Sequence, residues 1–315
     1  MKFLHTVFLL LFNLLSFCII ETVFSDEPVS YIVDIEPSNK KTALGEKLFY
    51  DKRLSGDNSI SCNSCHNLKK GGADDTPFSR GVNNTITPTN TPTVYNAVFN
   101  FTQFWNGKVK TLYEQVNCSL TSPYEMASTP SDIEAKLNLQ ADYKKLFKNI
   151  YNDNFIKHEY VIDALVHFEK SLITKDSRFD KYLKGWIQLS SDEQNGYILF
   201  KELGCITCHN GINLGGNSLQ KIGSIKPYII NKNVRSRYYI TGRDADINMF
   251  KVPTLRNIIL TKPYLHDGSI FSFEEIIKIM SIYNLGFALT DKEIESLKSF
   301  MITLTGKKPD IVKKR

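Results

Sequence analysis

Two pentapeptides carry the chemistry of this chain: Cys62-Asn63-Ser64-Cys65-His66 and Cys205-Ile206-Thr207-Cys208-His209. Both read C-x-x-C-H, the attachment motif of c-type haem. The spacing has a chemical cause. Two cysteines three residues apart reach the two vinyl groups of one porphyrin and close two thioethers. The histidine that follows is then held under the iron as an axial ligand. With six cysteines and six histidines in 315 residues, one such pentapeptide arises by chance about 0.002 times, and two far less often. A zinc site would need four ligands from closely paired motifs, yet the two histidines stand 143 residues apart. A thioredoxin-like pair needs no histidine directly after it, still less twice. We read two covalently bound haem c groups, on Cys62, Cys65 and His66 and on Cys205, Cys208 and His209.

Each iron has a second axial face. A His/Met pair makes a closed electron-transfer haem, and an open or displaceable position makes a site for chemistry. Met280, on the helix that starts at Ser272, suits the second haem; Met249 and Met301 compete on position alone, and most helical methionines fill cores. Between His66 and His158 the first half has no histidine, and Met126 is the only methionine there. Cys118 is read as a buried, inert thiol, and His158 and His167 as structural.

The elements that position these groups are mainly helical. Thr129-Pro130 is an N-cap with proline at the first helical position. A helical period runs from His158 to Ile173, with Val161, Leu165, Phe168 and Leu172 on one face. Capping boxes are expected at Ser190/Glu193, Ser272/Glu275 and Thr290/Glu293, and C-caps at Gly185, Gly204 and Gly306. The stretches 71–96 and 211–246 read as loop. A weak echo, Gly45-Glu46-Lys47-Leu48-Phe49 against Gly196-Tyr197-Ile198-Leu199-Phe200, precedes the two motifs and suggests duplication. The expected fold is mainly α: two cytochrome-c-like domains, each carrying one covalent c-type haem, over 26–175 and 176–306, with a basic tail at 307–315. Residues 1–25 read as a cleaved secretory signal, with Lys2 before an apolar run from Val7 to Ile20. The expected location is therefore periplasmic, where c-type haem is attached. A composition of 42% hydrophobic and 23% charged residues with net charge +6 excludes disordered and multi-span membrane chains. No basic stripe of a nucleic-acid binder is present.

The segments LGEKLFYDKRLSGDNSISCNSCHN, TNTPTVYNAVFNFTQFWNGK, FKVPTLRNIILTKPYLHDG and LKSFMITLTG together resemble the bacterial dihaem cytochrome c peroxidases over nearly all of the chain after the leader. The MauG-type enzymes, which mature a tryptophan-derived quinone, share much of this pattern. The resemblance implies that the haem at Cys62, Cys65 and His66 is peroxidatic, and that the haem at Cys205, Cys208, His209 and Met280 is where electrons enter. It implies that Trp105 lies between the haems, that Gln115 and Glu125 form the distal pocket, and that Asn90, Thr261 and Pro263 hold a calcium ion. His266 matches a histidine near the second haem. A carboxylate at Glu125 can move a proton between the two oxygens of a peroxide as base and then acid, Gln115 can orient the peroxide, and hard oxygen ligands suit calcium. The implied partners are hydrogen peroxide, a small soluble cytochrome c or other one-electron donor, and a second copy of the chain in a homodimer.

One position departs from the pattern. Counted without gaps from Gly71-Gly72 to Asn90-Thr91-Pro92-Thr93, the loop histidine that closes the first haem in many members falls on Val82. Valine cannot ligate iron, so the first haem is expected open or water-bound without reductive activation. That moves the chain toward the MauG type, whereas Met280, in place of that type's tyrosine, moves it back. The leading expectation is a peroxidase. The alternatives are a MauG-type oxidase acting on a partner protein and a non-enzymatic dihaem electron carrier, for which the Gln115 and Glu125 pair would have no use.

Overall fold

The structure is a computed structural model that describes residues 27–35, 38–230 and 235–313; the expected leader at 1–25 and the last two residues lie outside them. The first half contains α1 (Asn39–Phe49), the one-turn α2 (Cys62–Cys65), α3 (Leu112–Thr121), α4 (Pro130–Asn138), α5 (Ala141–Tyr151) and α6 (His158–Ser171). The second contains α7 (Arg178–Leu183), α8 (Ser191–Glu202), α9 (Tyr238–Thr241), α10 (Phe273–Met280) and α11 (Asp291–Thr303), and α12 (Asp310–Lys313) ends the described chain. The one sheet among the described residues is a pair of three-residue antiparallel strands, β1 (Leu219–Lys221) and β2 (Met249–Lys251), with Gln220 opposite Phe250. The fold is thus mainly helical, as expected.

The echo around Gly45 and Gly196 has a packing reason. α1 crosses α6 so closely that a Cβ on Gly45 would stand 2.0 Å from the Ala164 carbonyl oxygen and 2.8 Å from Phe168 Cβ. α8 crosses α11 in the same way, with a Cβ on Gly196 falling 1.9 Å from Ser296 O and 2.8 Å from Phe300 Cβ. Only glycine permits either approach. Behind each crossing sits an apolar core: Leu48, Phe49, Leu165 and Phe168 in the first half, and Tyr197, Phe200, Leu297 and Phe300 in the second.

The repetition extends into the loops. Asn96 and Asn257 both adopt the left-handed conformation (φ 60° and 61°) and cap short 3-10 turns. The Nδ2 groups of both donate to one acceptor, the Thr174 hydroxyl, each at 2.8 Å. Phe104 and Leu265 both have positive φ and sit in matching loops closed by the bridges Gln103–Val109 and Tyr264–Ile270. Trp105 and His266 are therefore counterparts.

The chain ends cross over. Val29 packs in the second core, and the backbone of Ile32 donates to Asp180 at 3.1 Å. The segment read as a basic tail instead carries Val312 into the first core, while the Lys308 ammonium donates to Lys69 O at 2.9 Å. Each half is held by a terminus from beyond its expected boundary.

Two expected caps differ. Gly306 has no left-handed φ; its smallness serves a close approach, since a Cβ there would lie 2.3 Å from Thr174 O. Ser272 accepts from Glu275 N at 3.2 Å, but its hydroxyl donates to Glu274. That carboxylate also pairs with Lys298, so the box is not reciprocal at Glu275.

Candidate active site

The first motif forms a single helical turn, opened by Ser61 N donating to Ser64 Oγ at 3.0 Å and closed by His66 N donating to Cys62 O at 2.9 Å. Gly71 and Gly72, at φ +88° and +75°, turn the chain back so that Gly72 O lies 3.3 Å from His66 Nδ1. A carbonyl only accepts, so Nδ1 carries the hydrogen and Nε2 keeps its lone pair for iron. Burial lowers the pKa of His66, favouring the neutral imidazole that ligation requires. The second motif repeats this. His209 Nδ1 lies 3.3 Å from Leu214 O, and burial lowers its pKa to about 4.

All four motif cysteines are free thiols. Burial pushes Cys62 up strongly and Cys65 and Cys205 up to about 11. These are neutral thiols, poorly suited to a redox pair or a zinc thiolate site. Among the described residues no three His, Cys, Asp or Glu side chains are grouped to hold a metal. The donor sets fit haem: one histidine with a free Nε2 beside two thiols, twice. Phe273 and Ile277 of α10 pack half-buried against the same second core as Cys205 and Ile206, a surface suited to a porphyrin edge.

A cavity opens beside the first motif, and Cys62, Cys65, His66, Gln115 and Glu125 all line it. Thr111 and Glu114 form the capping box that starts α3 and so set Gln115 one turn into the helix. Gln115 Nε2 donates to Ser119 Oγ at 3.0 Å. The Ser119 and Ser122 hydroxyls favour the Glu125 carboxylate, but burial outweighs them and raises its pKa. Ser119 thus links the two residues expected to form the distal pocket. Sequence reasoning passed over it, although its place four residues after Gln115 on one helix face was a usable sign.

The loop carrying Glu125 is pinned from two sides, by Gly56 N to Met126 O at 2.8 Å and by Val82 N to Glu125 O at 2.9 Å. Gly81 and Met126 line the cavity, whereas Val82 is buried and is not among the lining residues. Two further residues missed by the sequence reading face the same space: Glu169 of α6 and Lys251 of β2. Burial pushes the Glu169 carboxyl up to about 8 and the Lys251 ammonium down to about 8.

Trp105 is half-buried. Its indole N–H donates to Asn90 O at 2.9 Å, and its ring meets His266 edge-on at 6.3 Å. His266 stacks on Phe250 at 4.0 Å, its pKa is lowered to about 4 by burial, and its Nε2 has no partner. Met280 packs in the cluster that holds Trp105 and Phe250, and its sulfur accepts from Asn284 Nδ2 at 3.1 Å. Met280 ends α10, where the chain widens into the π-turn Ser281–Leu285, a distortion common at functional sites. Met301 is buried in the second core and Met249 lies on β2.

Asn90 N donates to His266 O at 2.9 Å, which holds its loop against the 261–268 segment. Asn90 Nδ2 donates to Thr76 O and Pro77 O at 3.0 and 3.2 Å, so its Oδ1 faces the other way. Pro263 follows a cis peptide bond and is buried. Cys118 is half-buried rather than buried. His158 is bonded to Asn117 at 2.9 Å and His167 to Asp163 O at 2.8 Å.

The model of the family described as di-haem cytochrome c peroxidase matches residues 39–188. A cytochrome c551 peroxidase of Nitrosomonas europaea is 42% identical over 91% of this chain and 86% of its own length. The chain belongs to the di-haem cytochrome c peroxidase family. A cytochrome c peroxidase of Escherichia coli is 40% identical over 89% of this chain, which spans 62% of that longer relative. A solved MauG-like protein associated with microbial copper homeostasis superposes with a TM-score of 0.79 at 30% identity, over 88% of this chain and 93% of the other. The family's di-haem character accords with the two donor sets described above.

Proposed function

We propose that this protein reduces hydrogen peroxide to water with electrons from a small cytochrome c or similar one-electron donor. The observation that carries the reading is one cavity in which a haem-attachment motif shares the lining with Gln115, Ser119 and Glu125, with Gln115 bonded to Ser119. Haem bound at Cys62, Cys65 and His66 and at Cys205, Cys208, His209 and Met280 supplies iron centres that exchange electrons one at a time. Gln115 orients the peroxide from the rigid end of α3. Glu125 takes a proton from one peroxide oxygen and returns it to the other, which becomes water. Trp105, packed against the same apolar cluster as Met280 and anchored on Asn90 O, lies on the route between the halves. The juxtaposition of Asn90 with the Thr261 and Pro263 segment supports a calcium ion there, chosen by oxygen donors. Export through the leader and a homodimeric assembly complete the reading.

The test is steady-state oxidation of a reduced small cytochrome c on addition of peroxide. Fast, peroxide-dependent turnover is expected. The MauG-type alternative draws support from Val82, whose side chain offers no ligand. It predicts negligible rates with every soluble donor together with oxidation of a partner protein. Peroxide inertness with both irons six-coordinate would instead indicate an electron carrier.

A further inference from the structure

The cavity of the first half is lined by residues between Ile60 and Glu169, with one exception, Lys251 from the second half. Lys251 ends β2. Its backbone N–H donates to Trp105 O at 2.6 Å, and its side chain is only 6% exposed. Successive strand residues face opposite ways. Phe250 turns toward His266 and the Trp105 cluster, and Lys251 turns to the other side, into the cavity. Among the described residues no hydrogen bond or ion pair holds its ammonium. The two carboxylates that share the cavity, Glu125 and Glu169, form no ion pair with it. A buried, unpaired ammonium is costly unless a counter-charge joins it.

We propose that the Lys251 ammonium binds a propionate carboxylate of the haem attached at Cys62 and Cys65. The inference rests on the haem placement proposed above. A porphyrin of this kind carries no peripheral charge except its two propionates, so an anionic partner for a cation in this cavity is available on the cofactor itself. The contact ties the first haem to a strand of the second half and, through the Lys251–Trp105 backbone bond, to the aromatic residue between the halves. The contact would also add a positive charge to the surroundings of the first haem, whose cavity Lys251 lines. A nearby cation favours the reduced, less positive iron.

The matured full-length protein tests this with Lys251→Met and Lys251→Arg, read by haem-peptide mass and by spectroelectrochemical titration of both haems. With both haems present, K251M is expected to weaken reduction of the first haem about tenfold, or about 59 mV for a one-electron couple, and to leave the second unchanged. K251R is expected to stay near the wild type. An unchanged first haem in K251M, or a shift confined to the second, overturns the proposal. If K251M fails to mature, K251R carries the test by resonance Raman. A propionate bending band of the first haem is expected to move while axial-ligand bands stay, and an unmoved band overturns the contact. A wild-type protein with no haem on the Cys62–His66 peptide would refute the underlying placement, and mass mapping shows that separately.

Discussion

Glu125→Gln changes one oxygen to an amide in a group that faces the cavity. Shape and volume are nearly kept, so the variant tests proton handling rather than packing. Amide nitrogen cannot take a proton from peroxide at neutral pH, so the whole contribution of a positioned base is lost. Such a base contributes about 10²–10⁴-fold, which corresponds to about 2.7–5.5 kcal/mol of barrier. The pH profile adds a sign. Burial raises the Glu125 pKa above its ordinary value, and the base acts only when ionised. In the wild type, kcat/KM for peroxide should therefore rise with pH across a window above the usual carboxylate range. In E125Q that limb should vanish and the rate should be low throughout. Stopped-flow mixing of the reduced enzyme with peroxide between pH 5 and 8 measures both. A variant within threefold of wild type, or one that keeps the rising limb, would refute the assignment of the base.

Electron paramagnetic resonance of the fully oxidised protein should show a high-spin ferric signal beside a low-spin one, because Val82 offers no ligand and is not among the residues lining the cavity; two low-spin signals alone would contradict this. Arg256 and Asp180 form a fully buried pair at 2.9 Å, and Arg256→Met strands a buried carboxylate. Denaturant unfolding should show a loss of about 3–5 kcal/mol with the slope unchanged, and a loss under 1 kcal/mol would argue against the pair's role. The raised pKa of Glu169 means that its favourable neutral form stabilises the fold fully below the ordinary carboxyl range, and that this is lost as pH rises through about 8. Glu169→Gln should flatten the fall in stability between pH 5 and 9, and an unchanged slope in thermal melts of the haem-loaded protein would place the titration elsewhere.

Much of this molecule was legible because local rules and global packing agree. The helix from His158 and the caps at Thr129, Ser190 and Thr290 follow from short-range chemistry, and each appears at its place. The echo of Gly45 in Gly196 marked both helix crossings, since only a missing side chain lets a neighbouring carbonyl approach to 2 Å or less from a Cβ position. What stayed hidden depends on long-range meeting. β1 and β2 are three residues each, too short for an alternation signal. Lys251 and Glu169 carry the composition of surface residues, and only tertiary burial turns them inward. The exchange of termini was illegible for the same reason. Val29 and Val312 are ordinary apolar residues until the fold decides which core receives them.

The hydroxyl of Thr174 receives an amide from Asn96 on one side and from Asn257 on the other. A single oxygen thus acts as keystone for two loops that repeat one another. Where Thr174 N meets Asn96 Oδ1, the matching partner of Asn257 Oδ1 is Gly306 N, and a glycine has no hydroxyl to offer. Loss of that one atom orphans two amides at once, each worth about 1–3 kcal/mol when buried and unmet. Neither loop could compensate alone, so the joint between the repeats tolerates change at this residue less than at either asparagine.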